Sequence, residues 1–178
     1  MRCHRVLCCI AGIVLLTAAT ACGVRRPASQ GPAVITAVDN QSQITVPAGW
    51  TARTDLHDEA ELQAADPAND LYLIVLTENK SDLDLDLEAY TDVVLAALIS
   101  NVESPDVSEA KHLIINGRNA IQHRVLATAN KIKVTYLHTT VEGKTNYFQI
   151  VAWTLRSRFP THEATLQQII QSFVDLAK

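Results

Sequence analysis

The stretch Ile132–Leu155, IKVTYLHTTVEGKTNYFQIVAWTL, decides the fold of this 178-residue chain. Two runs rich in β-branched and aromatic residues lie on either side of Glu142-Gly143, a composition typical of strands. Gly143 can adopt the positive φ that many tight turns use, so the pattern predicts a β-hairpin. Both sets of alternate residues in the second run are apolar: Phe148, Ile150 and Ala152 on one side, Tyr147, Val151, Trp153 and Leu155 on the other. A strand with two apolar sides is covered on both faces, which predicts a sheet between helices.

The N-terminus has the pattern of a bacterial export signal. Arg2 and Arg5 precede an apolar run from Val6 to Ala19. The run leads into Ala19-Thr20-Ala21-Cys22, which resembles the lipobox of bacterial lipoproteins, where the chain is cleaved before the cysteine and the cysteine thiol carries a diacylglyceryl group. The alternatives are an uncleaved anchor or an ordinary signal peptide, but the run is shorter than the roughly 20 apolar residues of a membrane-spanning helix.

These features divide the chain into three parts. Residues 1–21 are predicted to be a lipoprotein signal peptide, and residues 22–33 to be the lipidated Cys22 with a tether of small residues, Pro and Gly. Residues 34–178 are predicted to form a single domain, since this length suits one hydrophobic core.

Cysteine usage and charge exclude several classes of protein. Cys3, Cys8 and Cys9 lie in the predicted signal peptide, so Cys22 is the one cysteine left, and neither a disulfide nor a cysteine metal site can form within one molecule. The net charge is −4 at pH 7, and removal of the signal peptide takes away two arginines and no acidic residue. We therefore expect no nucleic-acid partner.

The remaining pattern predicts alternating strands and two helices. Beyond the central hairpin, strands are expected at Val34–Val38, Ser42–Val46, Ala60–Ala65, Leu71–Thr77, His112–Ile115 and Ala120–Ala127. Turn signals are expected at Asp66–Asp70, Asn116-Gly117 and the connection Ala127–Asn130. The first helix is predicted over Leu87–Asn101, with Asp86 as N-cap and Ser104-Pro105-Asp106 after its end. The last helix is predicted to open at Pro160 with Thr161 as N-cap and to bury Leu166, Ile169, Ile170, Phe173 and Val174.

This order of elements resembles the PsbP-like α/β/α sandwich superfamily, in its bacterial lipoprotein branch of the DcrB and LpqN type. The similar residues are Ile44–Trp50 (ITVPAGW), Asn116–Ala120 (NGRNA), and the Trp153 strand that leads to Phe173. The resemblance covers Val34 to Leu176 and implies an α+β fold, a mostly antiparallel sheet sandwiched by helices. It also implies a non-enzymatic binding or assembly module with no cofactor, because the family supplies no shared catalytic residues.

An acidic repeat before the first helix has an alternative interpretation. Asp82-x-Asp84-x-Asp86-x-Glu88 superficially matches the start of a calcium loop. An EF-hand loop needs Gly at the position of Leu87 and Glu at the position of Val93. The interleaved leucines need burial, so a solvated lead-in to the helix is favoured.

Histidines supply the other candidates for chemistry. His123 and His138 lie on neighbouring predicted strands and are weak candidates for a zinc or copper site. The inferred register does not place them directly opposite each other and no third ligand is evident, so we predict histidines of the core or of a strand edge and no metal. His57-Asp58-Glu59 is interpreted as a surface turn. The sequence contains no Gly-x-Ser-x-Gly, phosphate loop, His-Glu-x-x-His or Cys-x-x-Cys motif, so no enzymatic activity is predicted.

Four aromatic side chains can either line a groove or fill the core: Trp50, Tyr136, Tyr147 and Trp153. Core packing is favoured, in particular for Trp153.

The resulting hypothesis is a lipid-anchored envelope protein that binds an envelope protein partner. Because Gly23 and not Asp follows Cys22, we expect the outer membrane, facing the periplasm, where two membranes exist, and otherwise the outer face of the plasma membrane. The alternative is a carrier or sensor of a small ligand or metal.

Overall fold

The computed structural model describes residues 31–177, which form eleven strands and two helices. The strands are β1 (Ala33–Thr36), β2 (Ser42–Val46), β3 (Thr51–Ala52), β4 (Leu62–Asp66), β5 (Leu71–Asn79), β6 (Glu103–Val107), β7 (Lys111–Ile115), β8 (Arg118–Ala129), β9 (Ile132–Glu142), β10 (Asn146–Leu155) and β11 (Val174–Asp175). The helices are α1 (Leu87–Ser100) and α2 (Phe159–Gln171). The predicted signal peptide, Cys22 and most of the predicted tether lie outside the described residues.

The strands form two antiparallel sheets. The main sheet has the order β3-β4-β5-β10-β9-β8-β6, and β7 pairs with β8 on the same edge as β6. The hairpin of β9 and β10 lies at its centre, because β10 also pairs with β5 and β9 also pairs with β8. The small sheet has the order β1-β2-β11.

Both faces of the main sheet are covered, as the sequence predicted. On one face, α2 and the small sheet bury a core that contains Phe148, Leu166 and Phe173. On the other face, α1 packs Tyr90 and other apolar residues against the sheet. This arrangement confirms an α+β sandwich built on a mostly antiparallel sheet.

Local signals fix several element boundaries where the sequence predicted them. The carboxylate of Asp86 accepts a hydrogen bond from the backbone N–H of Ala89 at 2.8 Å, so α1 has its predicted N-cap. Asn116 and Gly117 both have positive φ, 47° and 80°, as a two-residue hairpin turn of this kind requires. A single 3-10 turn at Pro67–Asn69 joins β4 to β5.

The start of α2 differs from the prediction. The helix begins at Phe159, and its N-cap position, Arg158, makes no side-chain cap. The predicted cap Thr161 lies inside the first turn, where its N–H donates to the carbonyl of Arg158 at 3.0 Å. Pro160 explains the earlier start, because its fixed φ and missing N–H suit the first turn of a helix.

Three strands were not predicted: β3, β6 and β11. Ser104-Pro105-Asp106 follows α1 as expected, but it also forms most of the edge strand β6, where a proline is tolerated because one side of the strand has no partner. Val174, expected on the buried face of the last helix, instead lies in β11 and pairs with Gln43. All three strands lie at sheet edges and are only two to five residues long, so they show little periodicity in the sequence.

Gly143 serves the central hairpin differently from the prediction. Its φ is not positive; the positive-φ glycines of the described chain are Gly49 and Gly117. A Cβ at Gly143 would lie 2.5 Å from Cε2 of Phe148 and 2.8 Å from the carbonyl oxygen of Asn146. The position therefore requires glycine because of crowding.

We expect the substitution Gly143→Ala to destabilise the protein by about 1–3 kcal/mol, since an added methyl must displace the ring of Phe148 or the turn itself. Chemical denaturation measures this change. Lys144→Ala, an exposed position in the same turn, is the control and should change stability by less than about 0.5 kcal/mol. Equal midpoints for the glycine variant and the natural chain would contradict the crowding argument.

His138 is a buried member of the sheet face under α1. Its side chain is fully buried, its Nε2 lies 3.0 Å from Nε2 of Gln149, and its Nδ1 has no partner within the described chain. Burial lowers the pKa of His138 to about 3, and the nearby imidazole of His123 contributes to the same effect. The imidazole is therefore neutral in the folded protein at physiological pH.

The stability of the fold should therefore decrease in acid. The unfolded chain binds a proton at His138 near the ordinary pKa of about 6.5, whereas the folded chain does so only near pH 3, so protonation between these values favours unfolding. We expect protonation of His138 to lower the free energy of unfolding by about 2 kcal/mol between pH 6.5 and pH 4.5. In urea denaturation across this range, the free energy of unfolding of His138→Gln should change less with pH than that of the natural chain. The exposed control His112→Gln should show the same pH dependence as the natural chain. Identical slopes for His138→Gln and the natural chain would refute this.

Candidate functional site

An open groove of about 880 Å³ lies on the face of the main sheet that carries α1. The helix packs against β6, β8, β9 and β10 and leaves much of β5 uncovered. Alternate residues of β5 form part of the groove floor: Tyr72, Ile74, Leu76 and Glu78. One wall is α1 and the other is the loop of residues 53–61. The groove therefore follows the central strands.

Three aromatic rings form a ladder across one end of the floor. Tyr72, Trp153 and Tyr136 are directly opposite one another on β5, β10 and β9. The rings of Tyr72 and Trp153 are stacked with centroids 5.4 Å apart, and those of Tyr136 and Trp153 are tilted at 6.3 Å. All three side chains are only partly buried, so this aromatic ladder presents apolar surface to the groove.

The aromatic ladder corrects the prediction for Trp153, which was expected to fill the core. Trp153 lines the groove together with Tyr136, whereas Trp50 and Tyr147 are buried. Tyr72 was not predicted to contribute. The alternation of residues along LYLIVLT indicates which of them share a face of the strand with Tyr72. It does not indicate that Tyr72 pairs with Trp153, because that pairing depends on the register between distant strands.

The opposite end of the groove is acidic. Glu78 lines the groove at the end of the β5 floor, and Glu59 lines it from the wall loop, two residues before the Glu61 that is bound to Thr77. The carboxylate of Glu61 accepts from the N–H of Thr77 at 3.0 Å and thereby holds the loop over this half of β5. Gln63 holds the same loop through its Oε1, which accepts from the N–H groups of Leu56 at 2.8 Å and His57 at 3.2 Å.

The charges around the groove are distributed unequally. At the aromatic end, Asp70 forms an ion pair with Arg158 at 3.2 Å. Within residues 31–177, neither Glu59 nor Glu78 forms an ion pair, and no lysine or arginine lines the groove. The carboxylate at the aromatic end is therefore paired, whereas the two carboxylates at the other end take part in no ion pair of the described residues.

A buried tyrosine lies behind the acidic end. Tyr90 is 1% exposed and stacks on Tyr147 with ring centroids 4.5 Å apart. The carboxylate of Glu78 is the acceptor that lies closest to its hydroxyl. Burial raises the pKa of Tyr90, and the negative charge of Glu78 raises it further, so the hydroxyl stays neutral and able to donate.

The structure corrects the predicted relation of the two candidate metal histidines. His123 and His138 are directly opposite each other on β8 and β9. The turn between these strands is tighter than predicted, because Asn130 and Lys131 both adopt positive φ and join Ala129 directly to its partner strand. Even so, Nδ1 of His123 lies 3.0 Å from the carbonyl of Ser108. The part of the chain that the structure describes contains no cluster of three or more His, Cys, Asp or Glu able to hold a metal.

The remaining candidate residues have local structural roles. Leu83 and Leu85 pack against the cluster that buries Leu87, as predicted for the leucines between the acidic residues. Asp86 is occupied as the N-cap of α1. His57-Asp58-Glu59 forms an exposed turn, as predicted, in which Nδ1 of His57 accepts from the N–H of Glu59 at 3.2 Å.

Between residues 31 and 177, no helix is both long enough and apolar enough to cross a membrane.

Comparison with known proteins gives no match to any family model and none to the curated proteins. The similarity to known proteins therefore concerns the fold and comes from solved structures.

Several solved structures share the fold at low sequence identity. Cyanobacterial PsbP from Synechocystis superposes with a TM-score of 0.62 at 13% identity, covering 82% of this chain and 93% of that one. LpqN of Mycobacterium tuberculosis, described as involved in cell envelope biogenesis, gives a TM-score of 0.55 at 17% identity, with coverage of 85% and 86%. PA94 of Pseudomonas aeruginosa, a protein of unknown function, gives 0.52 at 11%, with coverage of 83% and 99%. Agreement over nearly the whole described domain shows that this chain has the PsbP-like α/β/α sandwich fold.

Proposed function

We propose that the chain is a lipid-anchored protein of the bacterial envelope whose domain is a non-enzymatic binding module. In this proposal, a diacylglyceryl group on Cys22 anchors the protein, and the groove over Tyr72, Trp153 and Tyr136 contacts an envelope partner. The membrane is the outer one, facing the periplasm, where two membranes exist, and otherwise the plasma membrane at its outer face.

The groove is the observation that carries the binding role. Soluble proteins rarely leave a contiguous apolar surface uncovered without using it for binding. Aromatic rings combine large contact area with few rotatable bonds, so they lose little entropy on binding. The ladder of Tyr72, Trp153 and Tyr136 offers such surface on rigid central strands.

The envelope location is supported by two observations. The N-terminal residues have the order of a lipoprotein signal, ending in Ala21-Cys22-Gly23. The mycobacterial neighbour with the same fold is described as involved in cell envelope biogenesis. An anchor near the membrane would increase the effective concentration of the domain toward membrane-bound partners.

A second candidate function uses the same groove. Its volume of about 880 Å³ lies within the roughly 300–1,000 Å³ typical of small-molecule sites. A carrier of a small ligand would therefore use the aromatic ladder in the same way as a partner-binding module. The metal version of this candidate has weaker support, because the imidazoles of His123 and His138 have no third ligand among the described residues.

We expect Cys22→Ser to release the protein from membranes, because the serine cannot receive the thioether-linked lipid. Fractionation of cells followed by mass spectrometry of the mature N-terminus measures the effect. Cys9→Ala, which lies inside the predicted signal peptide, is the matched control and should leave membrane association unchanged. Membrane retention of the serine variant equal to that of the natural chain would disprove the lipid anchor.

We expect a photo-crosslinker at Ile132 to capture the partner in intact envelopes, because Ile132 lies on the groove rim with 52% of its side chain exposed. The same group at Ile114, 63% exposed and outside the groove, is the control and should not capture it. Trp153→Ala should abolish the crosslink from Ile132 while the domain stays folded, as checked by its melting temperature. Capture that is equal from both positions, or unaffected by Trp153→Ala, would exclude the groove as the binding surface.

A further inference from the structure

The two ends of the groove differ in a way that specifies a ligand. The aromatic ladder lies at Tyr72 and the carboxylates lie at Glu78 and in the wall loop. From Tyr72 to Glu78 the floor strand rises by six residues, about 20 Å at the usual rise per residue of a strand. An occupant that contacts both ends must therefore be elongated.

The apolar end suits a hydrocarbon chain. Its ladder is extended by partly buried aliphatic side chains on β5 and β10, such as Leu76 and Leu155. The charge nearest to the ladder, on Asp70, is already balanced by Arg158. Transfer of an alkyl chain from water to this surface gains free energy in proportion to the apolar area that is buried.

The acidic end suits a cation. Glu59 and Glu78 have no ion-pair partner within residues 31–177, and a ligand that covered them without supplying positive charge would remove water from two carboxylates at a cost. The hydroxyl of Tyr90 is almost completely buried close to Glu78, and because it stays neutral it can donate to that carboxylate and hold it in place.

From these contacts we infer that the groove binds an elongated amphiphile with a positively charged head, its apolar chain on Tyr72, Trp153 and Tyr136 and its head between Glu59 and Glu78. The inference rests on the proposed function, in which the groove is the binding surface, and adds the chemical class of the occupant. The same arrangement disfavours anionic amphiphiles, whose heads would face the two carboxylates.

Three probes with the same dodecyl chain test the inference: dodecyltrimethylammonium, dodecyl maltoside and dodecyl sulfate, each below its critical micelle concentration. Calorimetric titration of the mature chain should show that the cationic probe binds most tightly. Two exposed charge contacts should give the cationic probe a roughly three- to tenfold higher affinity than the neutral probe. Trp153 fluorescence should respond in parallel, and Trp153→Phe, which leaves the buried Trp50, should remove that response.

The charge preference is assigned to residues by neutral substitutions. Glu59→Gln with Glu78→Gln should bring the cationic probe to the affinity of the neutral one and leave the neutral probe unchanged. Glu109→Gln with Glu163→Gln, which alters carboxylates outside the groove, is the matched control and should keep the preference.

The outcomes separate this inference from the proposed function. Equal binding of the three probes, or a preference that survives the Glu59 and Glu78 substitutions, overturns the inference, although a response of Trp153 still supports the groove as a binding surface. If no probe binds while Ile132 still captures a partner in the envelope, the inference is likewise wrong and the proposed function stands. If neither probe nor partner is detected, both are wrong.

Discussion

The register of β5, β10 and β9 is the constraint on which the rest of the structure depends. Alternate residues of a strand face opposite sides of a sheet, so a shift of one residue would exchange the two faces. In the observed register, Phe148 and Ile150 face α2 and complete the main core. The same register places Tyr72, Trp153 and Tyr136 in one row on the opposite face. Core and groove are therefore two consequences of one alignment.

The carboxylate of Asp175 helps to hold this alignment at the hairpin end. It forms an ion pair with Arg118 at 2.9 Å and accepts from the N–H of Lys144 at 2.8 Å, with a side chain that is 1% exposed. The neighbouring N–H of Leu176 donates to the carbonyl of Gln41 at 2.8 Å. One buried acidic residue thus connects the β7–β8 turn, the central hairpin and the small sheet, and leaving its partners unpaired would cost free energy.

Sequence signals predicted the elements that depend on local chemistry. Asp86 caps α1 and Asn116-Gly117 turns the chain as expected, because each acts on backbone groups a few residues away. The groove was not predictable in the same way. Whether Trp153 packs inside or remains partly exposed depends on where α1 crosses the sheet, and its contact with Tyr72 depends on pairing between distant strands. The predicted relation of His123 to His138 was wrong for a different reason: the turn at Asn130-Lys131 is shorter than predicted, and the length of that turn sets the register of β8 and β9.

The position of α1 also explains why the main sheet keeps uncovered surface for the proposed binding role. A helix of 14 residues, about 21 Å long, cannot cover an eight-stranded sheet, so strands that are apolar on both faces keep uncovered surface beside it. The loop held by Gln63 and Glu61 closes one side of that surface and adds charge to one end. A lipid anchor at Cys22, as proposed, would then supply proximity to the membrane, because the eleven residues 22–32 before β1 span at most about 40 Å. Proximity lowers the affinity that the groove itself must provide, so an open, partly polar groove is sufficient for a partner or ligand that stays at the membrane.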